Sequence, residues 1–397
     1  MTRGLVSLNA GSSSIKFGLY RLDPDGRPRH AAGGKIEGIG TAPHLAAKAD
    51  DGSLAVDRRW TDGAGLSHEE LLAELIDWAV DHLKGHEVVG IGHRVVHGGR
   101  QFAAPVRIDE DVLTKLESLS ALAPLHQPHN LAAIRAMAKL APDVPQVATF
   151  DTAFHRGRAD ETKRFALPRA MYDRGIRRYG FHGLSYAWIA RELARVAPTL
   201  AAGRVVVAHL GNGASLCAMH GGKSVDTTMG FTALDGLVMG TRCGTLDAGL
   251  VLHLIRHEGM DPADVETLFY QRSGLLGVSG ISSDMRTLHE SDAPAAQEAI
   301  TLFTARAARE IAALATSMGG LDGVVFTAGI GENDPVIRAM IAKRLEFIGL
   351  AIDETANAAN ARDIHASGSR VAAMVIPTDE ERMIAFDTVT CLDLHEA

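Results

Sequence analysis

Two short stretches of this 397-residue chain are laid out on one plan. Leu5–Leu8 and Ile15–Leu19 are apolar runs of strand length joined by Asn9-Ala10-Gly11-Ser12-Ser13-Ser14. Val205–Leu210 and Leu216–Met219 flank Gly211-Asn212-Gly213-Ala214-Ser215 in the same way. Leu8-x-x-Gly11-x-Ser13 and Leu210-x-x-Gly213-x-Ser215 share their spacing. Two strand–glycine loop–strand units imply two related halves facing one another. The length agrees, since ~100–200 residues per domain predicts two or three domains.

Helical signals lie between these units. Ser67-x-x-Glu70 is a capping box ahead of Leu71, Leu72, Leu75, Ile76, Ala79, Val80 and Leu83. Asp109 precedes Val112, Leu113, Leu116 and Leu119 in the same manner. Ile300, Phe303, Ala307, Ile311, Leu314 and Met318 predict a long helix that ends at Gly319-Gly320. A strand, Val324–Phe326, then runs into Gly329-Ile330-Gly331-Glu332-Asn333, and Asn333 or Asp334 caps a further helix with Pro335 in its first turn. Strands and helices are expected to alternate throughout, which makes the class α/β. The two-half argument puts a boundary near residue 150.

Composition closes off several function classes. Forty basic against 48 acidic side chains give a net charge of −8, and no local basic patch suggests a nucleic acid partner. No run reaches the ~18 apolar residues needed to span a bilayer. The first residues turn polar and Gly/Ser-rich too soon for a signal peptide. Cys217, Cys243 and Cys391 are scattered and lack a Cys-x-x-Cys, so neither a disulfide framework nor a zinc site is expected. A soluble cytoplasmic protein is the expectation.

Neither common nucleotide signature is complete. Gly222-Lys223-Ser224 imitates the end of a P-loop, but the residue five before Gly222 is Cys217, so a hairpin turn is expected there. Gly211-x-Gly213 lacks the third glycine of a dinucleotide fingerprint and leads into a strand. Turns whose N–H groups point inward can still cradle phosphate. Ser12, Ser13 and Ser14 add hydroxyls, and Lys16 adds a charge. Oxygen donors beside phosphate also suit Mg²⁺, which takes few protein ligands.

Two arginines stand among glycines: Gly92-His93-Arg94-Val95-Val96-His97-Gly98-Gly99 and Gly240-Thr241-Arg242-Cys243-Gly244. The planar guanidinium fork suits a carboxylate or phosphate and cannot serve as a base. Phe150-Asp151-Thr152-Ala153-Phe154-His155 offers a carboxylate after a strand, and Arg178-Tyr179-Gly180-Phe181-His182-Gly183 a histidine in a glycine-bounded turn.

Taken together, these stretches resemble the acetate kinase family. Leu8–Lys16 and Met229–Gly244 are similar to its two signature stretches. Gly92-His93-Arg94, Phe150–His155, Tyr179–Gly183, His209–Gly213, Gly329–Asn333 and Pro377-Thr378-Asp379-Glu380-Glu381 resemble its other motifs in the same order. The resemblance covers nearly the whole chain. It implies the two-lobed fold of the acetate and sugar kinase, Hsp70 and actin superfamily, each lobe a mixed sheet flanked by helices. The lobes would be 1–150, completed by 385–397, and a nucleotide-binding 151–384. It also implies a homodimer that reversibly transfers the ATP γ-phosphoryl group to acetate, giving acetyl phosphate and ADP, with Mg²⁺ or in its place Mn²⁺.

By that resemblance Asn9 and Glu380 (or its neighbour Glu381) bind the metal, and Lys16 lies at the phosphates. His209, Leu210, Gly211, Asn212, Gly213, Asp284, Met285, Arg286, Gly329, Ile330, Gly331, Glu332 and Asn333 would hold ATP. Arg94 would bind the substrate carboxylate beside Val96, Leu125 and Phe181, which line the acyl pocket. Asp151 would be the acid/base residue, and His182 and Arg242 would stabilise the transition state. Acetate is already ionised at neutral pH, its pKa being ~4. Asp151 is therefore expected to orient Arg94, Arg242 or a metal-bound water.

Three positions depart from the pattern: Ala233 for proline, Asp235 for glutamate and Thr245 for an acid. Ala233 would enlarge the acyl pocket, so a propionate or other short-chain fatty acid kinase is the alternative. A non-enzymatic nucleotide switch of the same fold is the more distant rival, and the two glycine-flanked arginines argue against it.

Overall fold

The computed structural model describes residues 2–11, 14–82, 86–124 and 126–395. The chain packs as two units, Met1–Phe154 with Asp379–Ala397, and His155–Thr378. Sequence reading put the divisions at 150/151 and 384/385. By packing they fall at 154/155 and 378/379. The returning segment starts earlier because Asp379 accepts from Arg382 N at 2.9 Å and caps the whole helix Glu380–Cys391.

The first unit is built on an eight-stranded sheet. Its strands are β1 (Thr2–Ala10), β2 (Ser14–Leu22), β3 (Pro28–Glu37), β4 (His44–Ala49), β5 (Leu54–Arg59), β6 (His86–Val95), β7 (Val106–Arg107) and β8 (Gln146–Phe150). Their order is β5-β4-β3-β2-β1-β6-β8-β7. β1 to β5 form an antiparallel meander, while β1, β6 and β8 run parallel. Strict strand–helix alternation therefore fails over the first 59 residues. β3 to β5 leave no apolar run: β4 buries only the alternate Leu45 and Ala47, β5 buries no residue, and the buried positions of β3 are interrupted by Gly33, Gly34 and Lys35.

Helices cover both faces of this sheet. On one, Leu71, Leu72 and Leu75 of helix His68–His82 and Met137 of helix Gln127–Leu140 pack on Val6, Leu8, Ile15, Phe17 and Ile36. The predicted capping box is present: Glu70 N donates to Ser67 Oγ at 3.2 Å, and Ser67 N to the Glu70 carboxylate at 2.8 Å. Leu83 lies outside the described residues. On the other face, Ala385 and Val389 of helix Glu380–Cys391 meet Leu5 and Tyr20. The helix comes so close that a Cβ on Gly92 would run into Thr388 and Ile384.

The second unit carries a five-stranded sheet of β9 (Arg204–Leu210), β10 (Ala214–His220), β11 (Lys223–Thr227), β12 (Gly323–Thr327) and β13 (Ala372–Val375), ordered β11-β10-β9-β12-β13. The long helix Pro294–Met318 lies across β9, β10 and β11 and ends at Gly319, whose φ of 69° suits glycine. Gly221 and Gly222, at φ 57° and 72°, make the hairpin turn expected in place of a P-loop.

The two sheets share one plan. β3-β2-β1-β6-β8 and β11-β10-β9-β12-β13 each have two antiparallel pairings followed by two parallel ones. The internal likeness read from the sequence is thus topological, but its register shifts by two residues. β1 closes on β2 at Ala10↔Ile15 and β9 on β10 at Leu210↔Ala214. Gly11 therefore corresponds to Gly211 and not to Gly213.

Candidate functional site

In the first unit the parallel strands bring three polar side chains to their C-terminal edge, where ligands of open α/β sheets bind. Asn9 sits near the end of β1, Arg94 near the end of β6, and Asp151 directly after β8. Arg94 Nε donates to both Asp151 oxygens at 3.1 and 3.2 Å, and Nη2 to Oδ2 at 2.6 Å. Nη1 donates to Asn9 Oδ1 at 3.1 Å. Asp151 is 1% exposed, so this is a buried, side-on ion pair. Burial disfavours the guanidinium charge, but Asp151, Glu380 and Glu381 outweigh it and raise the Arg94 pKa. Two of the five N–H donors remain beyond these bonds, and 21% of the side chain is exposed.

Asn9 Nδ2 lies 3.4 Å from one oxygen of Glu380 and 3.4 Å from one of Glu381. Burial, and next the neighbouring Glu380 charge, push the Glu381 carboxyl above its ordinary range. Two close carboxylates suit a hard cation such as Mg²⁺, which needs few protein ligands. Asn9 Oδ1, the atom that would meet a cation, accepts from Arg94 and keeps a second lone pair. Among the described residues no group of three or more His, Cys, Asp or Glu is arranged so that it could hold a metal ion.

Lys16 projects from β2 into a cavity of about 410 Å³, with Tyr20, Lys35, Lys48, Asp379 and Glu381 around it. Ser12 and Ser13 lie outside the described residues, and so does Leu125. Val96 is buried, with its N–H held by Asn130 Oδ1 at 3.0 Å.

In the second unit the C-terminal edge of β9 and β12 carries the other group of residues. Gly211, Asn212, Asp284, Met285, Arg286, Gly329, Ile330 and Asn333 line one cavity of about 640 Å³. Ser283 and Asp334 complete its wall, and neither was singled out as a ligand residue. Asp334 was legible only as a cap, which it is, accepting from Val336 N and Ile337 N at 3.1 and 3.0 Å.

Gly329–Asn333 is not an open glycine turn. It belongs to a short helix, Ala328–Asn333, entered through Ala328 at φ 65°. One Glu332 carboxylate oxygen serves the backbone. This Oε1 accepts from Ala328 N at 2.7 Å and Thr378 N at 2.9 Å, stabilising that strained entry. Gly331 is buried, and Leu210 is wholly in the core. The Gly331 and Glu332 carbonyls accept from the buried Arg338 at 2.9 and 3.0 Å. An arginine among the apolar residues of helix Pro335–Arg344 was the one sequence signal for that support.

His182, Arg242 and Gly213 converge. A Cβ on Gly213 would stand 3.1 Å from Arg242 Nη2 and 3.5 Å from His182 Nε2, so both heads point at this backbone. Arg242 Nη1 donates to the Ala233 carbonyl at 2.7 Å. His182 Nδ1 pairs with Ser215 Oγ at 2.8 Å, and its ring stacks on His209 at 4.3 Å between centroids. His209 Nδ1 in turn meets Ser185 Oγ at 2.8 Å. Phe181 is buried just before His182. Two of the three departures touch each other, Thr245 Oγ1 donating to Asp235 Oδ1 at 2.7 Å. The shorter Asp235 is thereby met by a hydroxyl where an acid would repel it.

The model of the acetokinase family matches residues 4–386. The chain belongs to the acetokinase family. This acetokinase is 50% identical over 389 residues to an acetate kinase of Rhodopseudomonas palustris, covering 97% of each chain. A propionate kinase structure from Francisella tularensis superposes with a TM-score of 0.90 at 37% identity, covering 98% of this chain and 99% of that one. An acetate kinase structure from Porphyromonas gingivalis gives 0.86 at 36% identity, covering 98% and 100%. The α/β fold expected of an acetokinase, with two mixed sheets flanked by helices, is the fold observed.

Proposed function

We propose that this chain is an acetate kinase that reversibly transfers the ATP γ-phosphoryl group to acetate, giving acetyl phosphate and ADP. Family membership over nearly the full length supports the reaction class. The observation that carries the acceptor assignment is the Arg94–Asp151 pair. Asp151 grips the guanidinium from the side, and one donor on each Nη is left over for a carboxylate.

Transfer between two anions is mainly a problem of charge and alignment, because the acceptor needs no deprotonation. Arg94 holds the carboxylate, with Val96 two residues on for the acyl group; Phe181 has that role by family resemblance alone. Residues 155–378 hold the nucleotide through the turn Gly211–Gly213, Asp284–Arg286 and the helix Ala328–Asn333. His182 and Arg242, aimed at Gly213, neutralise charge on the transferred group. Glu380 and Glu381 hold Mg²⁺, which when bound supplies positive charge to the phosphate oxygens.

The helix Ala248–Arg256 has no buried residue and exposes Leu250 and Leu252. Such exposed leucines support a homodimer. Three unpaired cysteines, and no helix among the described residues long and apolar enough to cross a membrane, support a cytoplasmic location.

The test is ADP formation from ATP with formate, acetate, propionate and butyrate. One methylene is worth ~1–3 kcal/mol of discrimination, so kcat/KM for acetate should exceed that for propionate about tenfold or more. A propionate optimum would make the chain a propionate kinase. ATP hydrolysis that ignores the acid would make it a nucleotide switch.

A further inference from the structure

The stretch Gly222-Lys223-Ser224 and the histidine that ends Phe150–His155 have no part in the site so far, yet the fold joins them behind His182. His155 is 1% exposed, and its two nitrogens have distinct partners. Nε2 lies 2.9 Å from the Phe181 carbonyl and Nδ1 2.8 Å from Ser224 Oγ. A carbonyl only accepts, so Nε2 carries the proton and Ser224 donates to Nδ1. Cys217 Sγ lies 3.4 Å from Ser224 Oγ, and burial holds its thiol protonated, pushed up to about 12. Donation thus runs one way, from Ser224 through His155 to Phe181, while the single Cys217 S–H has both Ser224 Oγ and the Ala218 carbonyl, at 3.5 Å, within reach. The imidazole stays neutral at all working pH, because burial and then the Arg158 charge depress its pKa to about 3.

Arg158 holds the same loop from the other end. Its side chain is wholly buried, with Nε donating to the His155 carbonyl at 3.0 Å. Nη2 donates to the Arg178 and Tyr179 carbonyls at 2.9 and 2.8 Å. Three of the four carbonyls before His182 are thereby fixed. Gly180, at φ 85°, has no room for a Cβ, which would fall 2.7 Å from the His155 ring. His182 itself sits at φ 57°, a left-handed conformation that a non-glycine residue adopts only when its surroundings impose it.

We propose that His155, supported by Ser224 and Arg158, is a positioning residue for His182. It fixes the Phe181–His182 peptide in the left-handed turn and so presents the His182 ring beside Gly213 and Arg242. The proposal rests on reading His182 as part of the phosphoryl-transfer site.

The experiment uses the full chain with His155→Phe, His155→Gln and Ser224→Ala, each alone and combined with His182→Ala. His155→Phe should lower kcat about tenfold or more while KM for ATP changes less than about threefold. His155→Gln, which keeps a donor near Nε2, should recover most of that loss. Ser224→Ala frees the tautomer and should lower kcat about three- to tenfold. On the His182→Ala background none of the three should reduce kcat by more than about twofold, since the residue they position is gone. Additive losses on that background would make His155 merely structural and overturn the proposal, as would wild-type kcat in His155→Phe. If that variant does not fold, the Ser224→Ala cycle decides by the same criterion. Wild-type turnover in His182→Ala would instead sink the reading of His182 itself.

Discussion

Replacing Asp151 by asparagine keeps the shape of the side chain and removes its charge. In the wild type that carboxylate is buried and takes three contacts of 2.6–3.2 Å from Arg94. Stripping the partner from a buried ion pair costs ~3–5 kcal/mol. Part of this is recovered, because the asparagine oxygen still accepts one bond and Glu380 and Glu381 still attract the guanidinium. A net ~2–3 kcal/mol remains, and at 1.4 kcal/mol per decade that is ~30–150-fold in kcat/KM for the acid. KM for ATP should hardly move, since the nucleotide residues other than Lys16 belong to 155–378. The assay is coupled ADP release at varied acetate from pH 6 to 9. If Asp151 only holds Arg94, the pH profile of the variant parallels that of the wild type at a lower level. Disappearance of a pH limb would restore a proton-transfer role. Undiminished kcat/KM in a folded variant would show that Arg94 needs no anchor.

Two further outcomes follow from local environments. Asp387 is half-buried on helix Glu380–Cys391, has no hydrogen bond or ion pair among the described residues, and is pushed up to about 7 by burial. The native state therefore keeps a proton that the unfolded chain loses near pH 4, so stability falls as pH rises from about 4 to about 7 and the full cost persists above. That cost has an upper bound of ~4 kcal/mol and is nearer half of it for a partly wetted group, so Asp387→Asn should raise Tm by ~4–8 °C at pH 8 and far less at pH 5. Equal gains at both pH values would dismiss the charge. Ala233→Pro should widen the acetate-to-propionate ratio in kcat/KM, since Ala233 N–H makes no hydrogen bond among the described residues and its carbonyl can still hold Arg242. An unchanged ratio in the folded variant would remove this residue from the pocket wall.

What could be read from the sequence was what neighbouring residues decide. Ser67 and Glu70, Asp109, and Gly319 announce helix ends because caps form within a turn or two of chain. β1, β2, β9 and β10 were visible as apolar runs, since most of their residues face helices or neighbouring strands. β3 to β5 were not, because their few buried residues are separated by exposed or polar ones and β5 buries none. The candidate site residues were assigned through long family motifs, which say nothing of the contacts several of them make. Glu332 looked like a ligand residue, yet its partners Ala328 and Thr378 are set by tertiary structure. Arg338 and His155 serve backbone carbonyls, and no sequence pattern records which carbonyl a side chain will reach.

Helix Glu380–Cys391 carries a consequence for how the protein is made. It covers the face of β1, β2, β3, β6 and β8 that holds Leu5, Tyr20 and the two glycines Gly90 and Gly92. Residues 155–378 form their unit from one continuous stretch and can close as soon as they emerge. The first 154 residues cannot, because their covering helix is translated only after that stretch. At ~5–20 residues per second the ribosome leaves that apolar face bare for roughly 10–50 s. During this interval the nascent sheet is open to aggregation or to a holdase chaperone, and termination before residue 380 would make the exposure permanent.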